Sequence, residues 1–204
     1  MEERINIIVS GVGGQGNVLA SQMMALAGVA AGYGAVEAET FGASQRGGSV
    51  MSHVRLYKVD SPGPLIPEGK ADVVLGFEPM ETLRILSRYG NPSTKVVVNT
   101  RPVYPIGVLA GEQIYPDMTK ILESIEQHVA QIYTLNATEI ALTAGNPVVA
   151  NMVMVGAVCG TGILPIKEEH FLLAMKDYFA EKILAINEKA FRLGMDCTND
   201  AAMV

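Results

Sequence analysis

The chain has 204 residues, of which 49% are hydrophobic and 18% charged, with a net charge of -6 at pH 7 and a mean hydropathy of +0.27. That length suits one domain, 1–204, with 194–204 expected as a frayed tail. An acidic balance with scattered Lys and Arg excludes a nucleic-acid partner. No apolar run reaches the roughly 18 residues of a membrane span, so no membrane role and a cytoplasmic location are expected.

In chain order, INIIVS (Ile5 to Ser10) reads as a short strand followed at once by GVGGQG and then by the apolar helix NVLASQMMALAGVAA, the opening of a βαβ unit. AVEAET reads as a second strand and FGASQRGGS as a loop. Val50 to Tyr57 follows as an alternating strand with Val50, Ser52, Val54 and Leu56 facing the core and Met51, His53, Arg55 and Tyr57 on a polar face. DSPGPLIPEGK reads as a surface connection, ADVVLGF as a strand, and METLRILSRY as a helix starting at Glu78 or Pro79, with Glu81 and Arg84 three apart on its exposed side.

KVVVN is apolar enough at its centre for a parallel strand covered on both faces. QIYTLN repeats the pattern after a helix in MTKILESIEQHV, and the chain from Thr138 onward reads as helices. The fold class expected is α/β: a Rossmann-like, doubly wound, mostly parallel sheet with a helical C-terminal third.

Gly11, Gly13 and Gly16 satisfy GxGxxG between a strand and a helix, where backbone N–H groups and the helix dipole can face an anion. A tight turn without a ligand explains the same glycines. Glu37 and Glu39 lie where a dinucleotide site places its ribose-binding acid, or share one polar face of their strand. Ser44 to Ser49 sets the Arg46 guanidinium beside Gly47 and Gly48, to hold a carboxylate or phosphate near Gly14–Gly16 or to bridge carboxylates at a subunit contact. Asn146 before Pro147 is a helix cap. His53, His128 and His170 have no metal or triad spacing, and Ser10 lacks a GxSxG elbow. Cys159 and Cys197 form no CxxC, so no metal or iron–sulfur site is expected on this chain.

NIIVSGVGGQGNVLAS followed by ETFGASQRGGSVMSHVRL, with ADVVLGFEPMETLR, KVVVNT and GNPVVANMVMVGA beyond, resembles the gamma-type subunit of 2-oxoacid:ferredoxin oxidoreductases, in particular the indolepyruvate type. The resemblance implies thiamine diphosphate-dependent oxidative decarboxylation of a 2-oxoacid to an acyl-CoA, with ferredoxin as acceptor. Thiamine diphosphate, magnesium and the iron–sulfur clusters would sit on a partner subunit, since this chain has no GDG-type motif and no cluster-forming cysteines; activity alone is not expected. Carried over by motif, Gly11, Gly13, Gly14, Gln15, Gly16, Arg46, Gly47, Gly48 and Ser49 are the candidate binding residues, for coenzyme A or for shaping the approach to the thiamine site; no catalytic residue and no metal ligand is assigned. Two other readings remain open from the residues: a stand-alone NAD(P)-binding oxidoreductase, and a non-catalytic assembly module.

Overall fold

A computed structural model describes residues 4–41 and 48–199 of the chain. The first half runs β1 (Arg4–Val12), α1 (Asn17–Ala30), β2 (Gly34–Phe41), β3 (Ser49–Tyr57), β4 (Val73–Gly76), α2 (Pro79–Tyr89) and β5 (Lys95–Asn99). A short helix α3 (Ile106–Leu109), α4 (Met118–Glu126) and β6 (Gln131–Leu135) follow. The helices α5 (Ala137–Ala144), α6 (Ala150–Gly160), α7 (Glu168–Tyr178) and α8 (Glu181–Asn199) complete the chain, with a 3-10 turn at Pro147–Val149.

The six strands form one sheet in the order β2-β3-β1-β4-β5-β6. β1, β4, β5 and β6 pair in parallel, and β3 runs antiparallel between β1 and β2. The reason lies in the connection. A parallel crossover takes a dozen or more residues, and 42–48 is too short for one, so β3 must return against β2. The expected α/β, mostly parallel sheet with a helical C-terminal third is therefore present, with one reversed strand inserted beside β1.

Strand pleating sorts the core into two layers. Ile5, Ile7 and Val9 of β1, with Val54 and Leu56 of β3, face α1 and the C-terminal helices. Ile8 and Met51 face the opposite layer, where Ile85, Leu86 and Tyr89 of α2 meet Ile121 and Ile125 of α4. Helix α1 thus lies on one face of the sheet and α2 on the other. The crevice between the carboxyl ends of β1 and β4 is the switch point at which doubly wound sheets bind ligands.

Three local expectations change. The Met51, His53, Arg55 face of β3 is buried, because the connection after β3 folds over it. Arg55 Nη1 donates to the carbonyls of Gly63 (2.8 Å) and Leu65 (3.0 Å), the Ile66 N–H donates to His53 Nδ1 at 3.2 Å, and Ile66 is buried. Stretch 60–70 is therefore a cover for the sheet rather than a free surface connection. Glu81 is buried too, not exposed.

The tail expected at 194–204 is helical as far as Asn199. Gly194 packs against the Val153 backbone and Gly156 against the Phe191 backbone, so α6 and α8 cross in backbone contact and the end of α8 is part of the core.

Candidate functional site

β1 ends in the glycine loop, and each of its residues has a different duty. Gly11 is still in the strand, and a Cβ there would lie 2.7 Å from both Gln15 Oε1 and Phe77 Cβ, so glycine is needed for packing. The Gly13 N–H donates to the Gly48 carbonyl at 2.9 Å, which joins the two glycine motifs as their sequence positions suggest. Gly14 is exposed, at φ 101°, with open space where a side chain would be. Gly16 caps α1 at φ 82°, a conformation that favours glycine, and a Cβ on it would meet Asn151 Nδ2 at 2.6 Å.

Gln15, read from sequence as a polar group at the loop tip, turns inward. Its Oε1 accepts the Val12 N–H at 2.7 Å and its Nε2 donates to the Phe77 carbonyl at 3.0 Å. The side chain thus ties the β1 loop to the end of β4 across the switch point. Asn99, at the end of β5, donates from Nδ2 to the same Phe77 carbonyl at 3.1 Å and accepts the Ala137 N–H at 3.0 Å. Asn17 Nδ2 donates to Val12 O at 3.1 Å.

A cavity of about 250 Å³ opens beside this scaffold, lined by Gly14, Gln15, Gly16, Asn99, Thr138 and Asn151 among others. Three helical starts border it: α1 at Gly16, α5 at Ala137 and Thr138, and the 3-10 turn and α6 from Pro147 to Asn151. α1 has neither a side-chain cap nor an acid in its first turn, so its first N–H groups and its dipole suit an anion. None of the described lining residues is titratable, and they can hold an anionic group without supplying a general acid or base.

The remaining candidates divide. Gly48 sits against the glycine loop, and Ser49 starts β3 opposite Val12, lining a second cavity on the other face of the sheet. Arg46 and Gly47 lie outside the described residues.

Glu37 and Glu39 share the face of β2 turned toward α1, and the Ser21 hydroxyl of α1 donates to the Glu37 carboxylate in a short contact. Burial raises the Glu37 pKa. Since β3 separates β2 from β1, these acids stand one strand farther from the glycine loop than a dinucleotide's ribose requires, and the geometry argues against the NAD(P) reading.

Asn146 does cap the 3-10 turn, accepting the Val148 N–H at 3.0 Å. Among the described residues no cluster of three or more His, Cys, Asp or Glu could hold a metal ion. Burial pushes the Cys159 thiol up to about 12, far from a thiolate ligand at neutral pH. Sequence reasoning missed Asn99 and Asn151. The signal for Asn99 was available: an amide closing an otherwise apolar parallel strand at its carboxyl end. Asn151, within NMVMVGA, gave only a polar position in an apolar helix.

The profile of the pyruvate ferredoxin/flavodoxin oxidoreductase family matches residues 6–197. The chain is 41% identical over 191 residues to the indolepyruvate oxidoreductase subunit IorB of Archaeoglobus fulgidus, covering 94% of each chain. Among solved structures, the fold is similar to the gamma subunit of a keto/oxoacid ferredoxin oxidoreductase from Geobacter sulfurreducens, with a TM-score of 0.67 and 24% identity over 95% of this chain and 98% of that one. It is also similar to the 2-oxoglutarate:ferredoxin oxidoreductase of Magnetococcus marinus, solved with 2-oxoglutarate, coenzyme A and succinyl-CoA bound. There the TM-score is 0.74 at 25% identity, over 98% of this chain and 32% of that longer one.

Proposed function

From a chain that belongs to the pyruvate ferredoxin/flavodoxin oxidoreductase family, with residues 6–197 matched, we infer the work of a subunit in a 2-oxoacid:ferredoxin oxidoreductase. The observation that carries this is the 41% identity to an indolepyruvate oxidoreductase subunit over 94% of both chains. It also supports an aryl 2-oxoacid of the indolepyruvate kind as substrate, ahead of pyruvate or a branched-chain acid.

A partner subunit then brings thiamine diphosphate, magnesium and iron–sulfur clusters, and ferredoxin takes the electrons. Thiamine diphosphate supplies the carbanion chemistry of decarboxylation when bound in the complex. Among the described residues no helix is long and apolar enough to cross a membrane, which fits a complex working in the cytoplasm.

Within the complex this chain contributes the switch-point cavity. Its uncapped α1 start and the N–H groups of Gly14 and Gly16 receive a phosphate-bearing part of coenzyme A, and Gly11, Gly13, Gln15 and Gly48 hold that loop in shape. At about 250 Å³ the cavity takes a diphosphate-sized portion and not the whole cofactor, so the rest lies along the partner. By motif alone, Arg46, Gly47 and Ser49 are assigned to the same approach.

The test is steady-state kinetics of the purified complex with indolepyruvate, coenzyme A and ferredoxin, comparing the natural chain with Gly14→Ala. A raised KM for coenzyme A with an unchanged KM for the 2-oxoacid supports the assignment. Unchanged constants for both would remove coenzyme A from this cavity.

A further inference from the structure

The second cavity at the carboxyl end of the sheet, about 320 Å³, lies on the α2 face, and of its lining residues only Ser49, at its edge, belongs to the motif assigned to coenzyme A. Two buried carboxylates line it, Glu78 at 2% exposure and Glu81 at 9%. Glu78 is fully engaged: Oε1 takes the Tyr115 hydroxyl in a short contact and Oε2 takes the Glu81 N–H at 2.8 Å. Glu81 is only half engaged. Its Oε1 accepts Arg84 Nη1 at 2.7 Å, while Oε2 is buried with no donor among the described residues.

A buried carboxylate oxygen without a donor costs free energy that a folded chain rarely leaves uncompensated. Among the described residues the cavity lining carries two acids against one cation, Arg84, whose side chain is 60% exposed.

The rim is apolar and largely exposed, with Tyr104 packed edge-on against Tyr115. Ile106 is 85% exposed and Ile114 94%, with Tyr104 and Leu109 also exposed beside them. A negative pocket ringed by exposed aliphatic side chains complements a basic side chain, whose long apolar stem lies along the rim while its charged head reaches the carboxylate. It is also the composition of an interface hot spot, where a desolvated anchor is surrounded by apolar contacts that exclude water.

We propose that this cavity is a docking socket for the partner subunit, which inserts a lysine or arginine side chain into the cavity beside the Glu78 and Glu81 carboxylates and covers Ile106 and Ile114 with an apolar flank. The proposal rests on the subunit reading and names the surface through which the subunits meet. A second copy of this chain is a weaker occupant, because two copies would bring the same excess of negative charge together.

The test uses the complex assembled from the full chain and its partner, with Glu81→Gln and Ile114→Ser compared to the natural chain by surface plasmon resonance at low and high salt. Ile114 is so exposed that its replacement leaves the fold intact, which thermal unfolding of the free chain verifies. Each variant is expected to weaken partner binding by at least about tenfold, and Glu81→Gln should in addition flatten the salt dependence.

A photo-crosslinking residue placed at Ile114 should join to a partner peptide containing Lys or Arg. Wild-type affinity in both variants, or a crosslink to a second copy of this chain, overturns the socket while leaving the subunit reading standing. A natural chain that binds no partner at all overturns both.

Discussion

Gln15 and Phe77 are joined by a single side-chain hydrogen bond, Nε2 to carbonyl oxygen at 3.0 Å, and this bond closes the switch point between β1 and β4. The same amide takes the Val12 N–H on its oxygen, so one side chain satisfies a donor at the end of β1 and an acceptor just past the end of β4. A carboxylate can do only half of this. Gln15→Glu keeps the size and the bond from Val12 but leaves the Phe77 carbonyl with only the Asn99 donor, and is expected to cost about 0.5–1.5 kcal/mol of stability. Urea unfolding of the free chain measures it, and a loss much smaller than that would mean the loop is held by its other bonds.

Glycines let α6 and α8 cross at backbone distance, and a methyl group has nowhere to go. A Cβ at Gly156 meets the Phe191 carbonyl, and one at Gly194 meets the Val153 carbonyl. Gly156→Ala and Gly194→Ala are each expected to destabilise by about 1–3 kcal/mol or more, as overpacked cores do, outweighing the gain alanine brings to a helix interior. Thermal unfolding of each variant checks this. An unchanged or raised Tm would show that the two helices can separate at little cost.

His53 makes the stability depend on pH. Burial lowers its pKa below the ordinary histidine value, and the guanidiniums of Arg55 and Arg88 push in the same direction. The unfolded chain takes up a proton near pH 6.5 that the folded chain refuses, so stability from this site is complete above about pH 6.5 and is lost as pH falls toward the lower folded value. Tm measured from pH 7.5 down to 5.5 is expected to fall, and His53→Gln is expected to flatten that slope while keeping an acceptor for the Ile66 N–H at 3.2 Å. Equal slopes in both chains would assign the pH dependence elsewhere.

Gly14 and Gly16 both hold positive φ but differ in what surrounds them. Space is open beside Gly14, so Gly14→Ala adds only backbone strain, about 1–2 kcal/mol, and a methyl group at the cavity mouth. Gly16→Ala adds the same strain and drives into Asn151, so it is expected to lower Tm further. Differential scanning calorimetry on the pair gives the comparison, and a larger loss at Gly14 would contradict the assigned packing.

The sequence shows its layered fold where local pattern and tertiary role agree. INIIVS, GVGGQG and KVVVN read correctly because short runs rich in Val and Ile, closed by a glycine turn or a polar residue, are too short for a helix and suit a buried strand. β3 reads correctly as a strand but not in its surroundings: alternation assigns His53 and Arg55 to a polar face, whereas stretch 60–70 folds back and satisfies both side chains with backbone groups. Burial by a distant segment leaves no periodicity to read.

The glycine loop was legible as a candidate site, but Gln15 as its inward brace was not, since its partner Phe77 is 62 residues away. The reversed direction of β3 was within reach, because the short connection at 42–48 rules out a parallel crossover.

The subunit reading is tested most directly by recovering the chain from its native cells and assaying what co-elutes. A brown complex holding thiamine diphosphate, which reduces ferredoxin with indolepyruvate and coenzyme A while the separated chain turns over nothing, is the expected result. A colourless chain that elutes alone, or one that oxidises a 2-oxoacid without a partner, would contradict it.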